Sequence, residues 1–148
     1  MNLSQKCQYA LRAVFELAKR GDHIPVSGQE IAEAQAIPPR FLLLILGQLR
    51  QGGFVASRRG VRGGYMLAAA PDELSVGDII RFMEGPLEPV KCIGGRGAAC
   101  PLRGGCAFLG LWQRAKEAVR QVYDSTTFAD LLREERIYTA GRGVDYCI

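Results

Sequence analysis

One stretch of the chain restricts its fold more than any other. Phe54-Val55-Ala56-Ser57-Arg58 reads as a strand, Arg59-Gly60-Val61-Arg62-Gly63-Gly64 as a glycine-rich turn, and Tyr65-Met66-Leu67-Ala68 as the returning strand. What precedes this hairpin is helical. Residues 4–20 repeat Cys7, Ala10, Leu11, Val14, Phe15 and Ala18 at helical spacing, with Lys19 and Arg20 at the negative end of the helix dipole and Gly21 as the stop. A second helix is predicted from Ser27, where Ser27-Gly28-Gln29-Glu30 has the pattern of a capping box, and Ile31 and Ala34 follow on one face. A third opens after Pro38-Pro39, runs through Leu49 and stops near Gly52-Gly53. Three short helices followed by a hairpin is the order of a winged helix-turn-helix, which we assign to residues 1–70.

The rest of the chain has another character. A short helix is expected over residues 75–84, with Val76, Ile79, Ile80 and Met83 inward and Gly85-Pro86 at its end. Residues 71–106 form a connecting helix and a cysteine-bearing loop. Within residues 107–135 the longest helix is predicted over 107–124, about 27 Å at the usual rise. Its apolar stripe is Phe108, Leu111, Trp112, Ala115, Val119 and Val122. Such a helix has little of its own domain to pack on, so pairing with a second copy is the expectation and packing back on its own chain the alternative. A short helix over residues 127–132 and a polar tail over 136–148 complete the reading. The fold class is mainly α with a small β-hairpin: a winged helix-turn-helix domain plus a long dimerisation helix.

Composition enters where it bears on partners. The 148 residues are 48% hydrophobic and 23% charged, as in an ordinary globular protein that can bury a core without disulfides. No apolar run approaches the length of a membrane helix, and the N-terminus lacks a signal peptide's apolar stretch, so a cytoplasmic protein without membrane contact is expected. The net charge of +4 is uneven: residues 1–65 carry nine Lys/Arg against four Asp/Glu, and residues 66–148 carry ten against eleven. A nucleic-acid-binding first half would show this asymmetry, and so would a merely solvated basic face.

In a helix-turn-helix the second helix of the motif enters the major groove N-terminus first, here the helix beginning at Pro39. Arg40 is placed to reach a phosphate or a guanine edge, and Ser27 and Gln29 to touch the DNA backbone. The turn concentrates Arg58, Arg59 and Arg62 among glycines that let backbone approach a groove, Gly60 and Gly63 included. With Arg50 these are the candidate DNA-binding residues. Leu42, Ile45, Leu46 and Leu49 read as core, which turns Leu43 and Leu44 outward or toward the groove, where they face thymine methyls or a partner surface.

The sequence resembles the winged-helix regulators of the IscR, NsrR, RirA and CymR type over about residues 1–135. The matching segments are Tyr9-Ala10-Leu11-Arg12-Ala13, Ile31-Ala32, Leu49-Arg50-Gln51-Gly52-Gly53-Phe54-Val55, Arg59-Gly60 with Gly63-Gly64-Tyr65, Val76-Gly77-Asp78-Ile79-Ile80, Glu84-Gly85-Pro86-Leu87, and Asp124-Ser125-Thr126-Thr127-Phe128-Ala129-Asp130-Leu131. The resemblance implies a DNA-binding repressor or activator, dimeric through the long helix and acting on a double-stranded operator. Family recognition helices usually turn polar after the aromatic, whereas here Phe41-Leu42-Leu43-Leu44-Ile45-Leu46 is apolar.

Cys92, Cys100 and Cys106, separated by seven and five intervening residues, lie in a long aperiodic loop that would need an organiser to be ordered. Thiolates wrapped on an iron–sulfur cluster, [2Fe-2S] or [4Fe-4S], would supply one. The glycines Gly94, Gly95, Gly97, Gly104 and Gly105 would give it freedom to wrap, and Lys91, Arg96 and Arg103 would favour thiolates. A thiol switch without a cluster, and zinc, are the alternatives, though the spacing lacks the paired cysteines of a zinc ribbon. The spacing matches the cluster loop of the iron-regulator branch, and the resemblance marks the CymR branch as lacking these cysteines. It also places a fourth ligand at positions that here hold Leu109 and Gln8, and Arg12 replaces a histidine of one relative. Cys7, Glu84, Glu88, Cys147 and an exogenous ligand remain candidates, with Cys7 also readable as a small buried hydrophobe and His23 as solvated. The functional expectation is a non-enzymatic regulator, a repressor in the first instance, controlled by a cluster that senses iron, redox or nitric oxide status. The alternatives are a cluster-free thiol- or small-molecule-sensing regulator of the CymR type, a thiol redox enzyme, and a dimeric interaction module.

Overall fold

The computed structural model describes residues 2–21, 23–94, 100–102 and 104–142. Along the chain come α1 (Gln5–Arg20), α2 (Gly28–Gln35), α3 (Pro39–Gln51), β1 (Val55–Arg58), β2 (Gly64–Leu67), α4 (Val76–Glu84), a short 3-10 turn (Lys91–Ile93), α5 (Leu109–Ser125) and α6 (Phe128–Arg142). The mainly helical class with one antiparallel hairpin holds. No helix among the described residues is long and apolar enough to cross a membrane.

Helix starts follow local hydrogen-bonding chemistry. The Ser4 hydroxyl accepts from the Cys7 amide at 3.1 Å and opens α1. The Ser27 box forms as the sequence implies, and a second box at Ser75 and Asp78 opens α4. At α6, Thr127 and Asp130 exchange the same pair of bonds, 2.8 and 3.1 Å. Each such exchange satisfies amides that a helix leaves without partners.

α1 is the central post. It packs against α2, α3, β2, α4 and α6, and its Ala10, Ala13, Val14 and Leu17 join Ile31, Leu42, Ile45, Leu46, Leu49, Val55 and Ile79 in one core. Phe128, the first residue of α6, is fully buried in that core and so fastens the C-terminal helix to the N-terminal half. Cys7, Val76 and Ile80 form a smaller cluster beside it. Buried Glu16 bonds Arg20 and Gln35, each at 2.8 Å. Burial alone would raise its pKa; the two hydrogen bonds outweigh burial and hold it below the usual carboxylate range.

Two expectations need correction. Ala34 is exposed, and the buried residues of α2 are Ile31 and Ala32. The final helix is no short piece ending near 132, since α6 continues to Arg142 through much of the expected tail. Its second half has exposed Ile137 and Tyr138 and no apolar periodicity. A pattern-based reading therefore lost it, whereas its Arg and Glu residues favour helix by propensity. The ion pair between Lys19 and Glu135, 2.9 Å, ties this half to α1.

Phe128→Ala is expected to cost about 3–5 kcal/mol, whereas exposed Phe41→Ala should stay within about 0.5 kcal/mol; denaturant unfolding measures both. Glu16, Asp78 and Asp130 all titrate below their ordinary range. Their stabilisation is therefore present above about pH 4 and lost as the pH falls further, and Asp78→Asn with Asp130→Asn should flatten that acid limb.

Candidate nucleic-acid interface

Three residues, 36–38, separate α2 from α3. Ala36 is left-handed, with φ 49°, and returns its amide to the last turn of α2, while Ile37 is buried and anchors the turn. Pro38 and Pro39 then start α3, where a missing amide hydrogen costs nothing. The sequence of α3 divides its surface in two. Leu42, Ile45, Leu46 and Leu49 face the core. Leu43 and Leu44 are 57% and 70% exposed, and Arg40 is exposed ahead of them.

The hairpin pairs Val55 with Leu67, Ala56 with Met66, Ser57 with Tyr65 and Arg58 with Gly64. A contact that the sequence pattern does not announce fixes its position. Val26, just before the α2 cap, exchanges two backbone bonds with Tyr65, each 2.8 Å, as a one-residue third strand. Gly64 is the residue that allows it: φ is 153°, and any Cβ there would collide with the Val26 backbone. Gly63 is equally tight against the carbonyl of Arg58, and its amide donates to Gly60 at 2.9 Å. The tandem glycines before Tyr65 were the available signal; a lone valine beside a proline gave none.

The wing therefore stands beside the tip of α2, with Arg58, Arg59 and Arg62 exposed and Val61 at the apex. Among the described residues, no carboxylate pairs with Arg40, Arg58, Arg59 or Arg62, whereas α5 and α6 carry several arginine–carboxylate pairs. The other predicted residues have partners of their own. The Ser27 hydroxyl is committed to the Glu30 carboxylate at 2.8 Å, which holds that carboxylate below its usual range. Gln29 donates to Glu33 at 2.9 Å. Arg50 is at the far end of α3 and donates to Ser57 at 3.2 Å, where it braces β1.

The cysteine segment joins α4 to α5. Cys92 is exposed on the 3-10 turn, and Cys100 and Cys106 are half-buried. Glu88 reaches Lys116 on α5 at 3.4 Å. By chemistry three unpaired thiols suit an iron–sulfur group; by position they are not gathered, since among the described residues no three Cys, His, Asp or Glu side chains meet as a metal-holding group. Gly95, Gly97, Arg96, Arg103 and Cys147 lie outside the described residues. Of the fourth-ligand candidates, Cys7 is fully buried, and burial together with the nearby Glu84 carboxylate pushes its thiol up to about 11. Glu84 accepts from the Ser4 amide at 3.0 Å, and His23 is exposed.

The apolar stripe of α5 is only partly covered: α5 packs against α4 and the 3-10 turn, and Trp112, Ala115 and Val119 are half-buried. None of its residues is fully buried, and Phe108, Leu111 and Val122 are open to solvent. A separate groove of about 1010 Å³ lies between α1 and α6, lined by Leu11, Phe15, Val76, Leu131 and Tyr138 among others.

Comparison with known proteins is consistent with this arrangement. A family model described as Rrf2, iron-dependent transcriptional regulator, matches residues 3–134. The HTH-type transcriptional regulator CymR of Bacillus subtilis is 38% identical over 131 residues, 88% of this chain and 89% of that one. The solved structure of CymR, the global cysteine regulator of B. subtilis, superposes with a TM-score of 0.73 at 37% identity, covering 88% of this chain and 95% of that one. T. potens IscR gives 0.71 at 34% identity, covering 91% and 88%.

Two outcomes follow from the local geometry. Gly64→Ala should detach the wing from Val26, read as weaker hydrogen-exchange protection at the Val26 and Tyr65 amides with the helical content intact. Alkylation at neutral pH should modify Cys92 in the folded protein and Cys7 only after unfolding.

Proposed function

The chain belongs to the Rrf2 family of transcriptional regulators, and we propose that it represses transcription by binding a double-stranded operator as a homodimer, with an iron–sulfur cluster on Cys92, Cys100 and Cys106 setting its affinity. The observation that carries the DNA reading is the group of exposed arginines, free of carboxylate partners among the described residues, on the wing and at the start of α3. Unpaired guanidinium groups on two adjoining projections suit phosphates and a narrow minor groove, while the helix tip enters the major groove beside them. The open part of the α5 stripe, Phe108, Leu111 and Val122, supports pairing of two copies, which would place two such projections about a two-fold axis. The relatives are named as transcriptional regulators, which favours a non-enzymatic role.

The cluster part rests on the donor set. Three cysteines free of disulfides lie on a glycine-rich segment, and Cys106 stands three residues before α5, whose positive N-terminal end favours a thiolate. A bound cluster would supply a thiolate-held redox centre responsive to iron supply, oxidant or nitric oxide. Through Glu88 and Lys116 the same segment touches α5, so its order bears on how the dimerisation helix is held. A second reading, a cluster-free regulator sensing thiols or a small molecule, draws support from the dispersed cysteines and from the likeness to CymR.

DNA binding should weaken steeply with salt. Each wing arginine changed to alanine should lower the slope of log K against log salt by about 0.9, the share of one neutralised phosphate. Binding unaffected by salt would contradict the proposal. Anaerobically purified protein should carry iron, sulfide and visible absorbance that Cys100→Ala removes. A colourless wild type with normal DNA control selects the second reading. Val119→Glu, which puts a charge in the α5 stripe, should give monomers by light scattering.

A further inference from the structure

The outward face of α3 is one continuous stripe. Arg40, Leu43, Leu44, Gly47, Gln48 and Gln51 recur at the three- and four-residue steps of a single helix face, opposite the buried leucines. Its middle is apolar, open to solvent and uncovered by its own chain. Leu43 also lies beside the tip of α2: its Cδ2 is 3.6 Å from where a Cβ on Gly28 would stand, and the Tyr65 ring lies 3.8 Å from the same point. One turn on, Gly47 faces open space, with nothing within 4 Å of a would-be Cβ, so the helix backbone can come close to whatever the face meets.

We infer that Leu43 and Leu44 are specificity-determining residues that read thymine methyl groups in the operator's major groove. This rests on the DNA-binding reading above and names the sequence chemistry it selects. The edges of the major groove are polar except for the C5 methyl of thymine, so a leucine face can gain by burial only against thymine. Charge decides between DNA and an apolar protein partner. The leucines follow Arg40 on their own helix face, and Tyr65, whose ring lies with Leu43 against the α2 tip, belongs to the hairpin that carries Arg58 at its turn end. A partner covering the patch must therefore present an apolar spot among negative charges, which is what a thymine between phosphates presents. The polar groups left on the stripe, Arg40 before the leucines and Gln48 after them, suit guanine and adenine edges on either side.

The test uses the full chain and duplexes it selects from a random-sequence pool. The selected half-sites are expected to hold thymines at fixed positions. Remaking one such duplex with deoxyuridine at a contacted thymine removes the methyl alone and keeps the pairing edge. Affinity should drop about fourfold per methyl, the factor that burying one such group is worth. The Leu43→Ala, Leu44→Ala double variant changes only exposed side chains; it should bind the thymine and uracil duplexes alike and keep the wild-type salt dependence on unselected DNA. Equal wild-type affinity for both duplexes, or discrimination that survives in the double variant, overturns the methyl reading while leaving DNA binding in place, and would make the leucine face a protein contact. Failure to bind any duplex at low salt overturns both readings.

Discussion

Two backbone hydrogen bonds between Val26 and Tyr65 join the parts of this molecule that would have to act together. They fasten the wing to the residue that leads into α2, and α2 is fixed to α3 by a three-residue turn anchored on buried Ile37. Wing, α2 tip and α3 are thereby one body with set spacing. The join needs a residue without a side chain at 64, because the two backbones meet where a Cβ would lie. A hairpin of two four-residue strands has little stability of its own. Here it is held by that bridge, by Val55 and Leu67 in the core, and by Arg50 on Ser57. Arg50 thus has a structural task.

The helices divide the remaining work by which face they bury. α1 is surrounded and sets the core, and Phe128 ties α6 into it. α5 has an amphipathic stripe that its own chain covers only in part, with Trp112, Ala115 and Val119 half-buried and Leu111 and Val122 open. Pairing would cover the open part and would turn one arginine-bearing projection into two. The weak basic excess of the first half then has a physical reading: the carboxylates of that half are mostly committed, Glu16 to Arg20 and Gln35, Glu30 to Ser27 and Glu33 to Gln29, while the wing arginines stay open.

Much of this was legible in the sequence, for identifiable reasons. The leucines of α3 sort into core and outward sets by helical period alone, and the structure has the same division. The Ser27 box was readable because its two partners are three residues apart. The Val26 bridge was not, since one strand residue carries no periodicity. The second half of α6 escaped because its helix is stabilised by propensity and by the Thr127–Asp130 cap more than by an apolar stripe. The cysteine spacing was visible as a motif, but thiol side chains spread along an aperiodic segment have no pattern that states where they meet. Cys7 shows the other side of that difficulty: its neighbours Val76 and Ile80 make it part of the apolar interior.

The central claim is that two copies hold one duplex through paired wings and helix tips. Hydroxyl-radical footprinting on a selected operator addresses it directly. The account predicts two protected patches on one face of the DNA, related by a two-fold axis, their centres separated by about 10 base pairs or a multiple of that. A single unpaired patch, or protection with no dyad, would contradict it.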